Sequence, residues 1–185
     1  MERTSLSEKF PVGARLPDFT LRATDGSLVS STSFFVGARA ALVVFACNHC
    51  PYVKGSDHEL IELTHRYGAE GLRVLAISSN DAVKYPEDSF QKMGEKAATL
   101  LLPFPYLYDE TQEIARLFDA QCTPESYLFD GTMALVYHGA INDSPRDSRA
   151  VTKHFLRDAV EQVLKEGKVT PSFAHPTGCS IKWKS

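Results

Sequence analysis

The sequence lacks an excess of charge of either sign. Its 185 residues carry 20 Lys and Arg against 23 Asp and Glu, a formal net of −3. No basic surplus is available to drive counterion-release binding to nucleic acid, and the charges read as a solvated surface. Long apolar runs are missing too. The most apolar window, Ala40 to Ala46, falls far short of the roughly 20 residues that span a bilayer, and the opening MERTSLSEKF holds no apolar core of a signal peptide. A cytoplasmic chain with no membrane partner is expected. Internal repeats, low-complexity runs and Gly/Ser/Pro linkers are absent, so residues 1–185 are drawn as one domain, with a core over about 10–167 and a tail over 168–185. Cysteine is scarce: Cys47, Cys50, Cys122 and Cys179 are too few to staple a scaffold of this length. In a reducing compartment such cysteines are catalytic, metal-bound or buried.

Hydrophobic residues make up 43% of the chain, enough for a full core. Phe19, Leu21, Leu28 and Val29 around Asp25-Gly26 mark a short hairpin. The continuous run Ala41 to Phe45 fits a strand buried on both faces. Pro51 follows, suited to the first turn of a helix, and Leu60, Ile61, Leu63 and Tyr67 recur at helical spacing before Gly68 and Gly71. Leu72 to Ile77 is the next strand. Pro86 with Glu87 and Asp88 suggests a helix start whose acids favour its positive end. Tyr106 to Tyr108 is a strand and Thr111 to Phe118 a short helix. Ser126–Phe129 and Ala134–Tyr137 flank the hairpin signal Asp130-Gly131. Val151 to Leu164 carries the apolar stripe of a last helix, with Gly167 beyond it. Strands alternating with helices, then a hairpin and a helix, give a three-layer α/β domain with a mixed sheet.

The chemistry concentrates in Cys47-Asn48-His49-Cys50-Pro51, between the buried strand and the helix. This context puts Cys47 at the helix N-terminus, where unpaired backbone N–H groups and the dipole favour a thiolate. Free cysteine has a pKa of about 8.5, and helix-start CxxC cysteines fall well below it. Two intervening residues let the sulfurs close a small disulfide ring, with the second thiol resolving a mixed disulfide made by the first. The pair also suits half of a zinc site with Cys122, Cys179 or a histidine, although zinc usually takes four close ligands and only one such knuckle is present.

The strand–CxxC–helix unit, the downstream Thr123-Pro124 and the closing hairpin and helix resemble the thioredoxin superfamily. The opening Leu16-Pro17-Asp18-Phe19-Thr20-Leu21 resembles its redoxin branch, which holds the peroxiredoxins and the alkyl hydroperoxide reductase/thiol-specific antioxidant group. The resemblance covers roughly residues 10–165 and implies a thioredoxin-like three-layer fold: a central mixed sheet, helices on both faces and an N-terminal hairpin extension. It implies Cys47 as the attacking and Cys50 as the resolving cysteine, with Asn48, His49, Pro51, Thr123 and Pro124 supporting them. Pro124 matches the family's cis-proline, whose loop packs against the disulfide. His49 matches the histidine that protein disulfide isomerase has before its second cysteine, where it makes the couple more oxidising. No cofactor or metal is implied. The implied partners are protein or small-molecule disulfides, hydroperoxides, and a thiol reductant such as a thioredoxin system.

Departures from the family are informative. Ala46 stands where thioredoxin carries tryptophan. Laying the peroxiredoxin pattern on Cys50-Pro51 puts Cys47 in place of its threonine, Val43 in place of its proline, and Pro124 near its arginine, with Arg146 and Arg149 displaced. A thiol–disulfide oxidoreductase is therefore expected, with a thiol peroxidase and a non-catalytic zinc-binding or redox-sensing protein as alternatives. Glu125 is a weak candidate for a proton acceptor, a solvent-facing side chain being the plainer expectation. The tail carries Ile181 and Trp183, which should dock on the domain. It also carries Cys179, which with Cys122 is a candidate auxiliary thiol.

Overall fold

The computed structural model describes residues 7–185, so the first six residues of the opening segment lie outside it. The elements, in chain order, are β1 (Thr20–Ala23), β2 (Leu28–Ser30), α1 (Ser31–Phe34), β3 (Ala40–Phe45), α2 (Pro51–Tyr67), β4 (Leu72–Ser78), α3 (Phe90–Leu100), β5 (Tyr106–Tyr108), α4 (Glu113–Leu117), β6 (Cys122–Thr123), β7 (Glu125–Asp130), β8 (Leu135–Gly139), α5 (Phe155–Glu166), β9 (Phe173–Ala174) and β10 (Cys179–Ser180). None of the helices described is long and apolar enough to cross a membrane.

Eight strands form a mixed sheet in the order β2-β1-β5-β4-β3-β7-β8-β9. The crossovers β3–α2–β4 and β4–α3–β5 make the parallel part, whereas β7 runs antiparallel to both β3 and β8. The β1–β2 hairpin extends the sheet through β1 on β5.

Strand β3 lies at the centre because all six of its residues are apolar and none has solvent exposure. Its side chains alternate between two cores, as strand geometry requires. Ala40, Leu42 and Val44 pack with Val53, Leu60 and Leu63 of α2, Met93 of α3 and Leu156 and Val160 of α5. Ala41, Val43 and Phe45 face Phe10, Phe19, Phe35, Ala115 and Phe118 on the opposite side. The sheet is thus covered on both faces, as the sequence pattern implied.

Two local expectations change. Pro86 opens only a 3₁₀ turn over Pro86–Asp88, and α3 starts at Phe90, capped by the Ser89 side chain accepting from Lys92 N–H. The last helix begins at Phe155, so Val151 precedes it. Two-residue strands such as β9 and β10 carry no periodicity and went unforeseen.

Candidate redox site

β3 ends at Phe45 and delivers Cys47 to the carboxyl edge of the parallel strands, where Ala46 N–H still bonds to Ile77 O. Helix α2 then starts at Pro51, with Cys50 as its N-cap residue. This corrects the expectation for Cys47: proline supplies the first helical residue, so Cys50 takes the cap and Cys47 lies before the helix.

Cys47 and Cys50 are both fully buried, and all four cysteines are unbridged. The nearby Cys47 thiol above all, and then the Cys179 thiol and Val53 N–H, favour the charged form of Cys50 against the cost of burial and hold its pKa down at about 4, while its Sγ lies 2.8 Å from Cys179 Sγ. Cys47 moves the other way, raised by donating to Cys50, by burial and by the charge of Asp88. The helix start and the flanking thiols favour the same thiolate, that of Cys50. When Cys50 is protonated, its Sγ can donate to Thr123 O at 3.2 Å.

The Thr123-Pro124 peptide is cis, as the resemblance implied. Thr123 touches both cysteines, its Oγ1 lying 3.3 Å from Cys47 Sγ. Thr170-Pro171 is also cis, and nothing in the sequence pointed to it.

The residues between the cysteines are held by a group the sequence reading missed. Asp88 is fully buried and accepts from Asn48 N–H at 2.7 Å, His49 N–H at 3.2 Å and the Asn80 side-chain amide at 2.7 Å. Its other contact is with His49 Nδ1 at 2.5 Å. His49 stacks on Tyr85, with ring centroids 5.6 Å apart. Asn48 Nδ2 donates to Glu87 O and its Oδ1 accepts from Tyr106 Oη at 3.0 Å. The segment 85–88 is therefore the cradle of the CxxC loop. Cys47, His49 and Asp88 bring ligand atoms within 4.8 Å of one another, a trio with metal-binding residue types. Three nitrogen donors already occupy the carboxylate, which fits an anchor for the loop. On the other flank, Lys96 Nζ donates to Cys47 O at 3.2 Å and pairs with Asp57 at 2.8 Å. Burial raises the Asp57 pKa, and Lys96 opposes that shift. A groove of about 810 Å³ opens here between α2 and α3, with Asn48, His49, Lys54, Asp57 and Lys96 on its walls.

Glu125 faces inward, contrary to expectation, because its strand pairs with β3 at Phe45. Its carboxylate accepts from Gln121 N–H at 2.7 Å and Cys122 N–H at 3.1 Å, and meets His138 Nε2 at 2.7 Å. It thereby fixes the turn before the cis-proline. Burial raises its pKa, but these bonds outweigh that and leave it lowered.

The tail reaches the site. β10 pairs antiparallel with β6, setting Cys179 opposite Thr123, and the Cys179 and Cys50 sulfurs lie 2.8 Å apart. Ile181 is buried as expected, whereas Trp183 remains 37% exposed, resting on the Arg116 guanidinium at 4.9 Å. Cys122 is buried, its Sγ 3.8 Å from Glu125 and 3.9 Å from Pro176 O. Arg146, displaced in sequence, is brought over the Tyr52 ring at 5.6 Å, beside the first turn of α2.

The site is thus a buried cysteine pair at a strand-to-helix junction, facing a cis-proline loop. The model of the AhpC/TSA family matches residues 12–138. The chain belongs to the AhpC/TSA family. Among solved structures, this AhpC/TSA chain is similar to an uncharacterized conserved protein from Geobacillus kaustophilus, with 43% identity and a TM-score of 0.90 over 100% of this chain and 96% of that one. A hypothetical protein from Sinorhizobium meliloti 1021 matches at 36% identity and a TM-score of 0.90, over 100% and 98% of the two chains. A putative thiol:disulfide interchange protein DsbE from Chlorobium tepidum shares the fold at 22% identity and a TM-score of 0.60, over 85% and 95%. A comparison with curated proteins returns no match.

Proposed function

We propose that this AhpC/TSA-family protein is a thiol–disulfide oxidoreductase working through a Cys47/Cys50 couple. The observation that carries this reading is Cys50 placed as the N-cap residue of α2, with Cys47 buried three residues before it and Thr123 touching both sulfurs. Cys50 takes the attacking role, because the helix start lies there and not at Cys47. Its thiolate attacks one sulfur of a substrate disulfide and expels the other as thiolate. Cys47 then gives up its proton, attacks the Cys50 sulfur of the mixed disulfide and releases the second substrate thiol. Asn48 and His49, the residues between the cysteines, are partly exposed and mark the face that a substrate meets.

Mild oxidation tests this reading. Peptide mapping should find a Cys47–Cys50 disulfide, and Cys50→Ser should abolish insulin-disulfide reduction. A pair that never bridges overturns it.

A second reading takes a hydroperoxide as oxidant. Cys50 at a helix start, followed by Pro51, favours it. The thiolate would become a sulfenic acid and Cys47 would condense with it, releasing water. Stopped-flow oxidation by hydrogen peroxide, compared with oxidation by a dithiol partner's disulfide form, decides between the substrates.

A further inference from the structure

The Cys179 sulfur takes part in none of the bond exchanges just described, although it touches Cys50. The two sulfurs are 2.8 Å apart, which is more than the roughly 2.05 Å of a disulfide bond but close enough to touch. Cys50 thus has a sulfur neighbour on each side, Cys47 and Cys179. The neighbours differ in access: Cys47 is fully buried, whereas Cys179 is partly exposed.

The tail is fastened so that Cys179 stays there. β10 is hydrogen-bonded to β6, Ile181 N–H donates to Gln121 O at 3.0 Å, and Lys182 O accepts from Asp81 N–H and from the Gln112 side chain, both at 2.8 Å. Lys182 N–H donates to Asn80 Oδ1 at 2.9 Å. Gly178 allows the close approach, since a Cβ there would lie 2.2 Å from Thr123 O. Asn80 also holds Asp88, so one loop anchors both the CxxC segment and the tail.

We propose that Cys179 is the outlet of the couple: the disulfide closed between Cys47 and Cys50 passes by exchange to Cys50–Cys179, and a reducing dithiol protein attacks it there. The proposal rests on the Cys47/Cys50 reading. In the exchange, the Cys179 sulfur bonds to Cys50 Sγ and the Cys47–Cys50 bond breaks. Cys47 leaves with the electron pair and takes the proton that Cys179 gives up, so nothing is oxidised or reduced overall. A thiolate of the dithiol partner then attacks Cys179 Sγ, and Cys50 departs as thiolate. The partner's second thiol cleaves the resulting mixed disulfide and frees Cys179. The partner leaves as a disulfide, having supplied two electrons. Cys50 suits the leaving position, because low-pKa thiols leave faster and the Cys47 thiol and Val53 N–H are still there to favour its charge once Cys179 is bonded to the partner.

The test uses the full chain as wild type, Cys47→Ser and Cys179→Ser, each treated with one equivalent of diamide and mapped by non-reducing peptide mass spectrometry. Cys47→Ser should close Cys50–Cys179, and Cys179→Ser should close Cys47–Cys50. Oxidised Cys179→Ser should then be reduced by a thioredoxin-type dithiol protein at least about tenfold more slowly than oxidised wild type, since its disulfide lacks an exposed sulfur. Failure to find Cys50–Cys179 in both wild type and Cys47→Ser, or equal reduction rates, overturns the outlet and leaves the Cys47/Cys50 reading standing. Absence of Cys47–Cys50 in both wild type and Cys179→Ser overturns the underlying reading itself.

Discussion

Cys50 concentrates the acid–base chemistry of the site in one atom. As the N-cap residue of α2 with a thiol on either side, it should remain a thiolate far below the range of free cysteine. Thiolate absorbance of the reduced protein should therefore titrate with a midpoint of about 4, and Cys50→Ser should remove that step. A midpoint near that of free cysteine would count against the assignment. Asp88 acts on the same balance from the other side. Its charge opposes ionisation of Cys47 while its oxygens hold the Asn48 and His49 N–H groups. Asp88→Asn keeps an acceptor and removes the charge, so the Cys47 thiol becomes easier to ionise and the couple more oxidising. The shift should be on the order of tens of millivolts, about 30 mV corresponding to roughly 1.4 kcal/mol. Redox equilibration against glutathione measures it, and an unchanged or more reducing potential contradicts the electrostatic role.

At the level of elements, the site is a meeting of four short segments: the end of β3, the start of α2, the turn into β7, and β10. Gly178 tests the last of these. Gly178→Ala would drive a methyl into Thr123 O, so β10 must lift from β6. An overpacking cost of about 1–3 kcal/mol is expected in chemical denaturation, together with loss of the Cys50–Cys179 cross-link. Full retention of both would mean the strand pairing is unimportant. The sequence made β3, α2 and both Asp-Gly hairpins legible because each carries its own local signal, whereas the cis-proline was legible only through the resemblance to the thioredoxin superfamily. Asp88 was not legible. Its two acids after Pro86 look like a helix start, and its partners Asn48 and His49 lie some forty residues earlier. Glu125 was misjudged because only register with β3 reveals which way it faces. Trp183 stays partly exposed because a cation beside its ring offers a partner without burial.

For the whole molecule, the thiols make stability depend on pH and on redox state together. The Cys50 pKa is depressed from 9.0 to about 4, so its contribution is present above the unfolded value and lost as pH falls through the folded one. Cys179 is raised, by burial first and by its bond to Cys50, to about 11. Its contribution is present below 9.0 and lost as pH rises toward 11. The reduced form should therefore gain thermal stability between pH 4 and 9 and lose it above. The oxidised form, with Cys50 no longer titrating, should lack the acid-side rise. Melting temperatures of both forms across that range measure it, and parallel profiles would refute it.

The central ladder has a consequence for how the molecule is made. β3 pairs with β7 from Ala40 opposite Asp130 to Phe45 opposite Glu125, partners 80 to 90 positions apart. Such distant pairing is slow to nucleate, since a long loop must close before any contact rewards it. The CxxC loop and the cis-proline turn sit at one end of this ladder, so they come into register in the same event. Until then the cysteines belong to an open chain with ordinary thiols. The reactivity of the pair therefore depends on a pairing made 80 positions further along the chain, and a fragment ending before Glu125 should carry the motif without its chemistry.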